Sequence, residues 1–115
     1  MITNFEAITA NLTTAETHLV EILVKGFSKH GKDDPIKEHA IVTAMRARYG
    51  DKFNGVKLRK YVNYIRATGI IPLIATNRGY YVSYDKQEVS DQVKSLMQRA
   101  QSIIISANGI KKFSK

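Results

Sequence analysis

The hydrophobic periodicity of the sequence changes at Gly69 from a helical to a strand-like spacing, and this change constrains the fold more than any other feature. Before Gly69, apolar residues recur at three- and four-residue spacing, which is typical of amphipathic helices. After it come two short runs of β-branched and aromatic residues, 70–76 and 80–84, separated by the loop 77–79. A three-residue loop that contains Gly indicates a hairpin. The chain is therefore predicted to be mostly α-helical with one small β-hairpin, an α+β fold.

Three amphipathic helices are predicted before the change in period, over about residues 14–30, 37–49 and 54–68. Thr13 and Glu16 have the spacing of a capping box, and Gly31 is the predicted end of the first helix. Asn54 is a suitable N-cap for the third helix. The side chains expected in the core are, helix by helix, Leu19, Ile22, Leu23 and Phe27; Ile41, Val42, Met45 and Tyr49; and Leu58, Tyr61, Val62 and Ile65.

A long helix is predicted after the hairpin, over about residues 86–107, with Asp85 as its N-cap and Asn108-Gly109 as its stop. Its apolar residues follow a heptad-like spacing, which fits packing on the first helix and equally fits a homodimer seam. Residues 103–105 are three isoleucines, apolar on more than one side of the helix, and this favours a partner surface. The seam residues are Val89, Val93, Leu96, Ala100, Ile103 and Ala107.

We interpret the chain as one folded domain, because 115 residues suffice for a single hydrophobic core and are few for two. Within it we expect an N-terminal arm (1–13), a core (14–84), a C-terminal closing or dimerisation helix (85–108) and a basic tail (109–115).

The net charge of +8 is distributed unevenly. Residues 1–24 have three acidic and no basic residues, whereas residues 25–66 have eleven basic and four acidic ones. Such a surplus favours nucleic acid first and an anionic membrane surface second, and it also occurs on ordinary solvated surfaces. No apolar run approaches the ~20 residues of a membrane span, and the N-terminus lacks the pattern of a secretory signal. We therefore expect a cytoplasmic protein that does not act at membranes.

The residue types that carry out catalysis or bind metals are absent or scattered. The chain has no cysteine, which excludes disulfides, thiol catalysis and thiolate zinc sites. His18, His30 and His39 are not placed at metal-ligand spacing. No nucleophile–base pair, phosphate-binding Gly loop or carboxylate dyad is recognisable. We expect no enzymatic activity, no cofactor and no metal.

The order of helix, helix, turn, helix and hairpin suits DNA binding. One side of helix 54–68 is apolar and can pack on the domain, while the other side is polar and basic and can enter a major groove. The preceding helix would steady it, and Arg78 at the hairpin tip could reach a phosphate or a minor groove. The candidate DNA-binding residues are Lys52, Asn54, Lys57, Arg59, Lys60, Asn63, Tyr64 and Arg78.

Three stretches of this sequence resemble parts of the winged helix-turn-helix family, in particular its small phage-encoded DNA-binding members. Residues 54–66 resemble the recognition helix, residues 69–82 the wing, and residues 95–103 the helix that closes the domain. The resemblance implies a winged helix-turn-helix fold with a long C-terminal helix. It also implies that helix 54–68 enters the major groove and that hairpin 71–84 is the wing.

We therefore expect a non-catalytic protein of the host cytoplasm that binds double-stranded DNA and acts as a transcription regulator or replication accessory. One alternative is a protein-interaction module that docks on a host transcription or replication complex. A second alternative is an RNA or single-strand binder, in which Tyr80, Tyr81 and Tyr84 stack on bases. These tyrosines equally fit packing on a sheet face.

Overall fold

A computed structural model of the protein describes residues 12–114. They form, in order, α1 (Thr14–Phe27), α2 (Glu38–Tyr49), α3 (Gly55–Thr68), β1 (Leu73–Thr76), β2 (Gly79–Val82) and α4 (Lys86–Lys111). The mostly helical α+β class with one small antiparallel sheet is confirmed. The chain divides into two compact units between Ser83 and Tyr84. The first eleven residues of the predicted arm, and Lys115 of the predicted tail, lie outside the described residues.

The predicted starts of the helices are correct, and two predicted ends are wrong. The capping box of Thr13 and Glu16 is present, and Gly69 ends α3 in the left-handed conformation. The first helix, however, ends at Phe27 and not near residue 30. The amide of Ser28 still donates to a carbonyl four residues back, but the next two amides donate three residues back, which tightens and ends the helix before Gly31.

The hairpin is shorter than the predicted span 71–84. Pro72, which cannot donate to a sheet, stands just before β1, and the strands pair from Leu73 with Val82 to Thr76 with Gly79. The loop therefore has two residues and not three. Gly79, at the end of the turn, has a positive φ of 129° and still pairs with Thr76. Among residues 12–114, positive φ occurs only at glycines.

A third piece of extended chain joins the hairpin. Ile36, in the connection between α1 and α2, pairs with Tyr80 through two backbone hydrogen bonds of 2.8 Å. Gly79 permits this approach, because a Cβ at that position would lie 2.6 Å from the carbonyl oxygen of Ile36. The sheet is thereby anchored to the segment that leads into α2.

The core of the first unit is built from α1, α2, α3 and the hairpin. The core prediction for α3 is confirmed in full, since the four residues expected in the core are all buried. In α1 the buried stripe is centred on Val20, and Leu19 and Ile22 are only partly buried. Tyr49 is wrongly predicted as a core residue: it is exposed, and the guanidinium of Arg48 lies 5.8 Å from its ring centroid.

The second unit is the helix α4, which is longer than predicted. It runs through Asn108 and Gly109 to Lys111, so the first three residues of the predicted tail 109–115 are helical. An interior Gly costs a helix about 1 kcal/mol and does not by itself end it. None of the residues of α4 is buried. Within residues 12–114, no helix is long and apolar enough to cross a membrane.

Candidate functional site

The helix α3 has one buried and one exposed face, and the exposed face carries most of the candidate residues. At 100° per residue, the side opposite the buried stripe is centred on Val56, Asn63 and Ala67, all of which are exposed. Val56 is 67% exposed. Lys57 and Arg59 are also exposed and flank this centre. The outer face is thus a narrow apolar and amide strip between cations.

The first turn of α3 is fixed by its cap. The side-chain oxygen of Asn54 accepts a hydrogen bond of 2.9 Å from the amide of Lys57. Asn54 therefore has a structural role that is independent of any DNA contact. Lys52, in the connection that leads into α3, is exposed, and the neighbouring Phe53 is buried against Tyr61. The buried ring fixes the connection from which Lys52 projects.

Lys60 is held against α1 and does not point freely into solvent. Its Nζ atom donates to Oε2 of Glu16 at 2.8 Å, and the side chains of Lys60 and Glu16 are only 31% and 22% exposed. The hydroxyl of Tyr61 donates to the same oxygen at 3.3 Å, and the amide of Thr13 donates to the other. The hydrogen bond from Lys60, and then that from Thr13, lower the pKa of the Glu16 carboxyl to about 2. Burial, and then the charge of Glu16, raise the pKa of Tyr61 to about 12.

Arg59 joins the start of α3 to the start of α2. Its Nη1 atom lies 3.2 Å from both carboxylate oxygens of Glu38, and the side chains of Arg59 and Glu38 are 57% and 40% exposed. Gly55 leaves room for this ion pair, since a Cβ there would lie 3.3 Å from Arg59 and from Glu38. An exposed pair contributes at most about 1 kcal/mol, so Arg59 can exchange Glu38 for another anion at small cost.

The hairpin tip lies beside the first turn of α2. A surface cleft there is lined by residues from both elements, including Lys37, Glu38, His39 and Asn77. Arg78 is exposed at the tip, and its amide donates to the hydroxyl of Thr76, which braces the turn. Because Glu38 both lines this cleft and pairs with Arg59, the starts of α2 and α3 and the hairpin tip share one side of the unit.

The tyrosines differ in their environments. Tyr81 is buried, and Tyr80 packs its ring 5.5 Å from that of Phe27, where burial is the main cause of its raised pKa. Both are packing residues, whereas Tyr84 is 77% exposed. Tyr64 is partly buried at the edge of the core. The hairpin therefore does not offer the alternating stacking platform that single-strand binding would require.

Two residues of this site were missed in the sequence. The capping-box spacing predicts only a capping role for Glu16, but its position one helical turn before Val20 also places it on the buried stripe of α1. Val56 lies outside the apolar stripe of α3, and its position seven residues before Asn63 indicates an outward-facing apolar residue.

The described residues contain no group of three His, Asp or Glu side chains that could hold a metal ion. His30 instead contacts Asp34, through the backbone oxygen at 2.8 Å and the carboxylate at 3.3 Å. Comparisons with protein-family models, with curated proteins and with solved structures found no match for this chain.

Proposed function

We propose that this protein is a non-catalytic DNA-binding protein of the winged helix-turn-helix type. The observation that carries the proposal is the two-sided α3, which packs four side chains into the core and leaves an outer face of amide, apolar and cationic groups exposed. The order of elements, with α2 before α3 and the β1–β2 hairpin after it, supports this assignment. The pairing of Ile36 with the hairpin gives the wing a rigid base.

Base contacts come from the centre of the outer face of α3. The amide of Asn63 suits the N6 and N7 atoms of adenine, and the side chain of Val56 suits the methyl group of thymine. Both side chains are exposed, so no core contact is lost when they enter a groove. We therefore expect sites that contain A·T pairs opposite α3.

Phosphate contacts come from the cations around this face, namely Lys52, Lys57, Arg59 and Arg78. They are exposed and project from the loop before α3, from α3 itself and from the wing tip. We assign no phosphate contact to Lys60, because its ammonium group is held by Glu16. Its task in this proposal is to fix α3 on α1. The cellular role follows the resemblance to phage proteins: regulation of transcription or assistance to replication.

The experiment that tests the proposal compares two charge-removing variants by fluorescence anisotropy with duplex DNA. We expect Lys57→Ala to weaken binding several-fold on every sequence, because it removes a phosphate contact. Lys25→Ala, which removes the same charge from an exposed position on α1, is the matched control and should change the affinity little. Equal effects of the two variants would show that only the net charge of the protein matters for binding. That result would contradict the proposal that α3 contacts the DNA.

Asn63→Ala tests the base-reading step separately. In a selection from random duplex DNA, the wild type should enrich A·T pairs at defined positions, and the variant should lose this preference at one of them. A good bidentate base contact corresponds to a discrimination of about 1–3 kcal/mol. A pool enriched identically by both proteins would exclude Asn63 as a reader.

A further inference from the structure

The helix α4 carries an apolar stripe that is not buried by the residues the structure describes. The stripe predicted to end at Ala107 continues for a further position to Ile110, because the helix runs to Lys111. Ile103 and Ile110 are 68% and 69% exposed. A contiguous apolar stripe of this length on a water-exposed helix indicates a surface that another molecule covers.

We propose that this stripe binds the same helix of a second copy of the chain, in antiparallel orientation. The register pairs Val93 with the partner's Ile110, Leu96 with the partner's Ala107, and Ala100 with the partner's Ile103. Six layers then extend over residues 93–110, about 26 Å or five helical turns. The stripe is thus a homodimer interface with its centre between Gln101 and Ser102.

The sizes of the seam residues favour the antiparallel orientation. In a parallel, in-register pair, Ala100 and Ala107 would each meet their own copies, and two of the layers would be thin and poorly filled. In the antiparallel register, each alanine lies opposite a Leu or an Ile. Small and large side chains then alternate across the seam, which fills the layers evenly.

The charges at the two ends of α4 favour the same orientation. Residues 85–91 have three acidic residues, Asp85, Glu88 and Asp91, against one basic residue, Lys86, and Lys94 follows one turn later, whereas Lys111 and Lys112 make the end of the helix basic. A parallel pair would place the two acidic starts beside each other and the two basic ends beside each other. In the proposed register, an antiparallel pair places Asp91 level with the partner's Lys112 and Glu88 about 4.5 Å further along the helix axis. Both offsets are shorter than the screening length of about 8 Å at physiological salt.

Residues beside the seam widen the interface. Met97 and Ile104 each follow a seam residue by one position, and both are more than half exposed. In the proposed register, Met97 lies next to the partner's Ile104. This matters because an isolated pair of short helices with a narrow seam is marginal in water. These residues increase the apolar surface that is buried in the dimer, which a pair of helices of only five turns requires for stability.

Cysteine cross-linking tests the orientation, and the chain is suited to it because it has no cysteine of its own. We expect a mixture of Val93→Cys and Ile110→Cys proteins to be joined by a short bis-maleimide, with the mass of the mixed dimer. Val93→Cys alone should not be joined, because its copies would lie about 26 Å apart. Efficient cross-linking of Val93→Cys to itself would overturn the antiparallel register.

Sedimentation equilibrium of the full-length protein tests the interface itself. The wild type should be a dimer at micromolar concentration, and Ile103→Glu should be a monomer whose first unit keeps its near-UV circular dichroism. Gln98→Glu, with the same added charge on the other side of α4, should remain a dimer. A wild type that stays monomeric at every concentration measured, or equal dissociation of the two variants, would overturn the proposal.

Discussion

The ammonium group of Lys60 lies 2.8 Å from the carboxylate of Glu16, so that a residue predicted to contact DNA fastens α3 to α1. The two residues are 44 positions apart, and the hydroxyl of Tyr61 donates to the same carboxylate oxygen. The contact holds the middle of α3 against the first turn of α1, next to the outer face of α3. The orientation of the proposed reading helix therefore depends on an ion pair as well as on the core.

Removal of this ion pair should destabilise the first unit. We expect Lys60→Ala to lower the free energy of unfolding by about 1 to 2 kcal/mol, because a partly buried carboxylate loses its main donor. Lys57→Ala, at an exposed position of the same helix, should change it by less than about 0.5 kcal/mol. Urea unfolding followed by circular dichroism measures both. Equal stability of the two variants would contradict the structural role of Lys60.

The stability of the protein should fall in acid because of Glu16. Its pKa is about 2 in the folded protein, against an ordinary value of 4.5. The unfolded chain therefore binds the proton first as the pH falls, and the stabilisation, complete above about pH 4.5, is lost as the pH falls through 2. Urea unfolding at pH 7 should separate the wild type from Glu16→Gln by about 1 to 2 kcal/mol. The difference should shrink towards zero near pH 2, and a constant difference would contradict the low pKa.

Gly79 should not tolerate a side chain. Its φ is 129°, and a Cβ would lie 2.6 Å from the carbonyl oxygen of Ile36. We expect Gly79→Ala to cost at least about 2 kcal/mol in thermal or urea unfolding, because strain and a lost backbone pairing act together. Gly26→Ala, in α1 with open space around its Cβ position, should be neutral or slightly stabilising. A Gly79→Ala protein as stable as the wild type would show that the hairpin is not anchored at Ile36.

Glu38 should oppose DNA binding. It is the acidic residue between the hairpin tip and the start of α3, and it holds Arg59 at 3.2 Å. Glu38→Gln removes a negative charge and releases the guanidinium, so we expect tighter binding to duplex DNA by a few-fold. Glu21→Gln, at an exposed position of α1, is the control for the change in net charge. If Glu38→Gln binds DNA no more tightly than this control, the proposed contact between Arg59 and DNA is contradicted.

The elements that the sequence predicted correctly are those defined by local chemistry. The helix α3 is indicated by three local signals: the cap at Asn54, four apolar residues at helical spacing, and Gly69 at its end. All three are found in the structure. The hairpin was recognised by its change of period. Its first strand begins at Leu73, directly after Pro72, which removes a donor from the sheet.

The features that the sequence did not predict depend on contacts between distant residues or on small energy differences. Glu16 had already been explained by its cap, so its second contact, with Lys60, left no separate signal. The end of α4 was misplaced because Gly109 disfavours a helix by only about 1 kcal/mol, which its neighbours can offset. The loop of the hairpin is one residue shorter than predicted, because Gly79 pairs with Thr76 despite its positive φ.

The salt dependence of binding to duplex DNA tests the central claim most directly. Four cations at the proposed interface, Lys52, Lys57, Arg59 and Arg78, predict that the logarithm of the binding constant falls with the logarithm of salt concentration with a slope of about −3.5. Arg78→Ala should reduce the magnitude of this slope by about 1. Absence of binding at low salt, or a slope near zero, would contradict the account of this protein as a DNA-binding protein.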